Sequence, residues 1–155
     1  MQECPFCKED IKDISYLESK NFYVIYNIAP VFPGHSLLIP KRHIISIFDL
    51  TNEELVELIL LGRKAIEILK IALKTDAFNI SLQEKEEAGQ TIAHLHVHII
   101  PRIKGDLEDP GKWYVKIQNN YEDIIDSCKR PKLNKNEMIE IVNYLKTIIK
   151  TNHDR

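Results

Sequence analysis

No stretch of this 155-residue chain stays apolar long enough to cross a bilayer, and its first ten residues, MQECPFCKED, are charged and lack a secretory h-region. These absences lead to the expectation of a soluble, cytoplasmic protein with no membrane partner. Net charge is also nearly missing. A formal charge of -2 and a pI near 6.3 give no whole-protein attraction to nucleic acid, so no nucleic-acid partner is expected. Cysteine is sparse: there are three, with Cys4 and Cys7 in one C-x-x-C. That argues against a disulfide framework and for metal or redox use. There are no internal repeats and no low-complexity linkers. With 44% hydrophobic residues, the chain reads as one domain over residues 1–155 with a sizeable core.

What is present in excess is histidine at one place. Within residues 90–102, His94, His96 and His98 alternate with Leu95, Val97 and Ile99. In an extended strand, successive side chains point to opposite faces, so the three imidazoles share one face and the apolar residues the other. The apolar set suits a buried sheet face, whereas three imidazoles in a row call for chemistry. One reading is a metal site, because neutral imidazole ligates zinc. Alternate residues on a strand lie about 6–7 Å apart along a line, so one ion takes two of the three at most. The other reading makes one histidine a nucleophile, activated through its second nitrogen, with its neighbours orienting it or giving protons to the substrate.

Cys4-Pro5-Phe6-Cys7 is either half of a zinc site or a redox pair. A redox motif follows a strand and opens a helix, and no strand precedes this one, so zinc is favoured given two more ligands. Cys128 reads as a packed thiol. Residues 15–29 read as a hairpin turning at Ser19-Lys20-Asn21, with Asn27 closing its second strand as turn chemistry or as a ribose contact. A rigid loop with Pro30, Pro33 and Gly34 leads to His35 and a short apolar strand at residues 36–40. Lys41-Arg42-His43 then forms a basic corner, in which His43 is a candidate ligand.

The longest helix is expected over residues 51–75. Thr51 and Glu54 form a capping box, and Leu55, Leu58, Ile59, Ile66, Leu69 and Leu73 make its apolar stripe. Gly62 offers a place for close packing. Residues 77–82 alternate as a strand, and Gln83 and Gln90 frame a charged loop from which uncharged amides could hold phosphate oxygens. Trp113-Tyr114-Val115 reads as a short strand or an anchor. Asn134 and Glu137 open a C-terminal helix carrying Met138, Ile141, Val142, Leu145 and Ile148. The pattern implies an α+β fold: an antiparallel sheet of about five strands with one long central helix and a C-terminal helix.

The run His94-Leu95-His96-Val97-His98-Ile99-Ile100 resembles the motif of the histidine triad superfamily. Pro33-Gly34-His35, Leu37-Leu38-Ile39-Pro40, the stretch from Gln83 to Thr91 and Pro101-Arg102 resemble its fragile-histidine-triad branch, the diadenosine polyphosphate hydrolases. The resemblance implies that His96 attacks the α-phosphorus of a nucleotide, forming a nucleotidyl-histidine that water resolves with release of AMP. It implies that His98 bonds the phosphate or leaving oxygen and that His35 supports the cluster. Asn27 would contact the ribose, while Gln83, Gln90 and Thr91 would hold the phosphates. A homodimer is implied as well.

The C-x-x-C pair resembles the structural zinc site of other superfamily members, which assigns Cys4, Cys7, His43 and His94 to zinc. That would leave His96 and His98 for phosphate; magnesium is the second cofactor considered, as a companion of the substrate. Fragile-histidine-triad members generally lack this cysteine pair, so the chain combines features of two branches. The alternatives are an AMP-amine phosphoramidase, a nucleotidyltransferase or phosphorylase, a nucleotide-binding regulator, and a zinc hydrolase using the triad itself as ligands. His98 argues against the uridylyltransferase type, in which the resemblance places glutamine there.

Overall fold

Helix α1 (Asn52–Leu73) begins where the sequence says it should: the Thr51 side chain accepts from the Glu54 N–H at 3.2 Å, and the Glu54 carboxylate accepts from the Thr51 N–H at 2.9 Å. Arg42 closes on the same carboxylate at 2.7 Å and holds its pKa down to about 2. The helix ends at Lys74 in a left-handed conformation, φ 53°. Its buried face is Leu58, Leu61, Ala65, Ile66, Ile68 and Leu69. Ile59, expected in the stripe, is instead 67% exposed, because the face that meets the sheet is rotated toward Leu61, Gly62 and Ala65. A Cβ at Gly62 would meet Leu38 at 3.5 Å, an ordinary contact, so close packing does not require that glycine.

The computed structural model describes residues 4–112 and 130–153; Trp113-Tyr114-Val115 and Cys128 lie outside them. Five strands, β1 (Ser15–Glu18), β2 (Phe22–Tyr26), β3 (Ser36–Pro40), β4 (Ala77–Leu82) and β5 (Val97–Arg102), form one antiparallel sheet ordered β1-β2-β3-β5-β4. The sequence expectation of a five-stranded α+β fold is met. The C-terminal helix α2 (Lys135–His153) opens on the expected box, Asn134 and Glu137 each accepting from the other's backbone N–H. No helix among the described residues is long and apolar enough to cross a membrane.

Both sheet faces are covered. One meets α1 and α2 in a cluster that includes Leu38, Leu69, Leu95, Val97, Ile99, Val142 and Leu145. The other carries Tyr23, Ile25, Leu37 and Ile39 under Phe6 and Ile11. Burying Leu95, Val97 and Ile99 contributes about 1.5–3 kcal/mol each. A one-residue slip of β5 would turn Val97 and Ile99 away from the helices and put His98 among them. That cost rivals the whole stability of a domain, so the apolar alternation fixes which way the histidines face.

The loop before β3 is pinned at Gly34. Its φ is +86°, and a Cβ there would lie 2.5 Å from Leu73 Cδ1 and 2.8 Å from Pro101 Cγ. The Gly34 N–H donates to the Tyr26 hydroxyl at 2.9 Å, Ser36 Oγ donates to the Gly34 carbonyl at 2.9 Å, and the buried Tyr16 hydroxyl donates to Ser36 Oγ at 3.0 Å. Gly34→Ala is therefore expected to cost about 2–4 kcal/mol through overpacking and left-handed strain. A urea unfolding midpoint equal to that of the native protein would refute this account of the turn.

Candidate active site and metal cluster

The histidine run does not form one straight strand. β5 begins at Val97, so only His98 lies on the ladder, opposite Leu37 and Ser81. His94 and His96 lie in the irregular segment before it, where the His94 N–H bonds the Ile92 carbonyl and the Leu95 N–H bonds the Ile44 carbonyl. This corrects the single-strand expectation. The alternation of faces survives, because Leu95 still enters the core while His94 turns toward the N-terminal cysteines.

Four donors meet there. The Cys4 and Cys7 thiols and one nitrogen each of His43 and His94 all lie within 4.8 Å of one another. Sγ of Cys4 is 3.4 Å from His94 Nδ1; Sγ of Cys7 is 3.2 Å from His43 Nδ1 and 3.5 Å from His94 Nδ1. Donor–donor edges around a tetrahedral ion with two sulfurs and two nitrogens are about 3.3–3.8 Å, so spacing and chemistry both fit a metal. The fit extends to the tautomer. His94 Nε2 lies 3.0 Å from the Pro40 carbonyl, which only accepts, so Nε2 carries the proton and Nδ1 turns a lone pair to the cluster. With four protein donors no position is left for water, as in a structural site.

The same reasoning orders the remaining imidazoles. His96 Nδ1 donates to the His94 carbonyl at 2.7 Å, which leaves the lone pair on Nε2. Burial holds the pKa of His96 below the ordinary histidine value, so the ring is neutral at neutral pH. His35 Nδ1 accepts from the Val31 N–H at 3.1 Å, so its proton sits on Nε2 and is donated to His98 Nδ1 at 2.9 Å. His98 is thereby left with its proton on Nε2. A backbone amide thus dictates, through two rings, a hydrogen-bond donor at His98 beside a lone pair at His96, the ring centroids being 5.0 Å apart.

Burial, then the charges of its neighbours, holds His35 well below its ordinary range and His98 down to about 3. Unfolded histidines bind protons near pH 6.5, about the unperturbed value. The unfolded chain therefore takes up more protons than the folded one from there down to about pH 3, and stability is lost as pH falls through that window. The unfolding midpoint should drop between pH 7 and pH 5, and by less in His98→Asn. Equal slopes for the two proteins would contradict the assignment of a neutral His98.

The other sequence candidates fall into place unevenly. Asn27 is buried; its Oδ1 accepts from the Ala29 N–H at 3.0 Å and its Nδ2 lies within 3.5 Å of both His35 ring nitrogens. That is turn chemistry coupled to the histidine relay. Gln83 follows the Leu82–Val97 pair toward His96, gives its Nε2–H to Ser81 Oγ at 2.6 Å, and keeps a buried Oε1 without a hydrogen-bond partner among the described residues. Gln90 is engaged at both ends, accepting from the Lys85 N–H at 2.8 Å and donating to the Ile45 carbonyl at 3.0 Å, so it braces the loop. Thr91 is exposed. Arg102 is a clamp: it grips both Asp106 oxygens at 2.7 and 2.8 Å and Asn79 at 3.0 Å, and lies over the Phe32 ring.

Two residues were not read from the sequence. Phe6 packs edge-on against His94 and His96. Arg130, from the segment before α2, adds positive charge that helps hold His35 and His98 neutral. The Leu133 N–H ties that segment to the Ile28 carbonyl at 2.9 Å. No sequence periodicity links Arg130 to the triad; only the fold brings it there.

Comparison with known proteins agrees with this geometry. Residues 8–105 match the HIT domain. The chain belongs to the HIT-domain family.

Within that family, it is 35% identical over 115 residues to the bis(5'-nucleosyl)-tetraphosphatase [asymmetrical] of Schizosaccharomyces pombe, an alignment covering 74% of this chain and 63% of that protein. It is 36% identical over 100 residues to the bis(5'-adenosyl)-triphosphatase of Dictyostelium discoideum, covering 64% and 67% respectively. Among solved structures, the diadenosine triphosphate hydrolase of Plasmodium falciparum, crystallised with Cyclomarin A, superposes with a TM-score of 0.70 at 28% identity, covering 90% of this chain and 78% of that one. The HIT chain thus spans less than two thirds of the fission yeast relative. The HIT-domain match starts after Cys7 and ends before Arg130.

Proposed function

We propose that this HIT protein is a nucleotidyl hydrolase that cleaves dinucleoside polyphosphates, diadenosine tri- or tetraphosphate, at an α-phosphate and releases AMP. The observation that carries the reading is the complementary pair of tautomers: a lone pair on His96 Nε2 beside an N–H on His98 Nε2. His96 Nε2 attacks the α-phosphorus; a nitrogen–phosphorus bond forms as the bond to the bridging oxygen breaks. The leaving nucleotide departs with that electron pair, and the His98 N–H stabilises the charge on oxygen. Water then attacks the nucleotidyl-histidine, giving AMP and restoring His96. His35 holds the His98 tautomer and Asn27 supports His35. Gln83, which follows the Leu82–Val97 pair and whose buried Oε1 has no hydrogen-bond partner among the described residues, is the best placed of the three polar candidates to meet the substrate, ahead of Gln90 and Thr91. The activities named for the relatives support this class of substrate.

The cluster of Cys4, Cys7, His43 and His94 is assigned to structural zinc, on its two-sulfur, two-nitrogen donor set. Such thiolates suit a reducing compartment, and the cytoplasm is the location proposed. Magnesium enters only as a companion of the substrate phosphates; no second set of three or more ligands is found among the described residues. A homodimer is proposed on β4, which ends the sheet order with Phe78 and Ile80 exposed, and on the exposed Val56, Ile59 and Leu60 of α1. Sedimentation returning only monomer at micromolar concentration would remove that part.

The deciding experiment is product analysis on diadenosine triphosphate, diadenosine tetraphosphate and an AMP-amine conjugate. AMP from the first two supports the hydrolase reading. AMP from the amine conjugate alone moves it to a phosphoramidase. Nucleotide release that requires added phosphate or sugar phosphate moves it to a phosphorylase or transferase.

A further inference from the structure

We propose that Phe6 is a positioning residue for the nucleophile, so that the loop carrying two of the metal ligands also sets the orientation of the His96 imidazole. This rests on the reading of His96 as nucleophile and adds to it the means by which that ring is aimed. Phe6 stands between Cys4 and Cys7 in a single tight turn, Pro5–Cys7, closed by the Cys7 N–H on the Cys4 carbonyl at 3.1 Å. Pro5 at the first position of the turn fixes its φ. With both thiols drawn to the cluster, the ring between them is buried, 8% exposed, among Ile11, Tyr23, Ile25, Leu37 and Ile39. Its edge contacts are to two histidines: His94 at 5.6 Å and 89° between planes, and His96 at 5.5 Å and 61°.

The bond from His96 Nδ1 to the His94 carbonyl pins one nitrogen at 2.7 Å but does not stop the ring plane swinging about that contact. The terminal torsion of histidine is broad and adds little restraint of its own. Two neighbouring rings limit the swing, His98 at 5.0 Å and Phe6 at 5.5 Å. Both of the other restraints on His96 begin in the metal cluster: the carbonyl belongs to the ligand His94, and Phe6 sits between the ligands Cys4 and Cys7. Metal loading and aiming of the nucleophile are then one mechanical event, since a small misplacement of an attacking atom costs much of its rate.

The test is Phe6→Leu, which keeps apolar volume without an aromatic edge, with Phe6→Met as a second filler in case the first does not fold. Four quantities are measured on the full chain prepared with zinc: the single-turnover rate of nucleotidyl-enzyme formation from diadenosine triphosphate, KM, zinc content, and the imidazole nitrogen resonances of His96. The expected result is a rate about tenfold to a hundredfold lower, KM within about twofold of native, zinc content unchanged, and His96 signals averaged over orientations. A native rate with native His96 resonances in the variant would overturn the proposal. So would a rate loss matched by an equal loss of zinc, which would make Phe6 part of the core and no more. If the native protein forms no nucleotidyl-enzyme on any of the three substrates, the hydrolase reading falls. The His96 resonances then decide by themselves whether Phe6 orients that ring.

Discussion

His96→Ala is expected to lower AMP release from diadenosine triphosphate by about 10,000-fold or more, while the protein still folds, keeps its zinc and binds nucleotide. The size of the effect follows from what is removed. The Nε2 lone pair is held in place by a 2.7 Å bond from Nδ1–H to a carbonyl of the same segment. In the proposed mechanism the donor on His98 only stabilises charge. His98→Asn should accordingly cost less, about a hundredfold, in the range seen for removing one oxyanion donor. Mass spectrometry of the reaction mixture should show one nucleotidyl adduct on the native chain and none on His96→Ala. An adduct that persists in the variant would place the attack elsewhere.

Loss of the metal should have the largest effect on stability. Cys4→Ser or Cys7→Ser is expected to take bound zinc from about one per chain to near zero, because three remaining donors hold the ion far less well. A site that binds the folded but not the unfolded chain stabilises by about 4 kcal/mol when free zinc stands at a thousand times Kd. The native protein should therefore lose about that much on chelation, and the cysteine variants should be insensitive to chelator. The pairing with His96→Ala separates two chemistries. If zinc disappears with His96→Ala and stays with Cys4→Ser, the triad itself is the metal site and the structural assignment is wrong. His94 is the informative third case: replacing it removes a ligand and disturbs the segment whose carbonyl holds His96, so both zinc and turnover should fall together.

Much of this molecule is legible along the chain because it is encoded at short range. The capping boxes at Thr51–Glu54 and Asn134–Glu137 are three residues wide, and each forms as read. The alternation of Leu95, Val97 and Ile99 against three histidines sets which side of the sheet carries the chemistry, since a strand has only two faces. The donor set of Cys4, Cys7, His43 and His94 was open to a resemblance argument, and the fold brings the four together.

What the sequence by itself could not decide are the relations between segments far apart in it. Periodicity read residues 94–98 as strand, yet Cys4, ninety positions away, faces His94 where the segment has left the ladder. The stripe of α1 was off by one position at Ile59, because which side of a helix is buried depends on what it meets. The tautomers of His35, His94, His96 and His98 are fixed by the Val31 amide and the Pro40 and His94 carbonyls, backbone groups that no motif can mark. Residue types supply the chemistry available to a site; the direction of each lone pair and proton comes from backbone groups that only folding brings within hydrogen-bond reach.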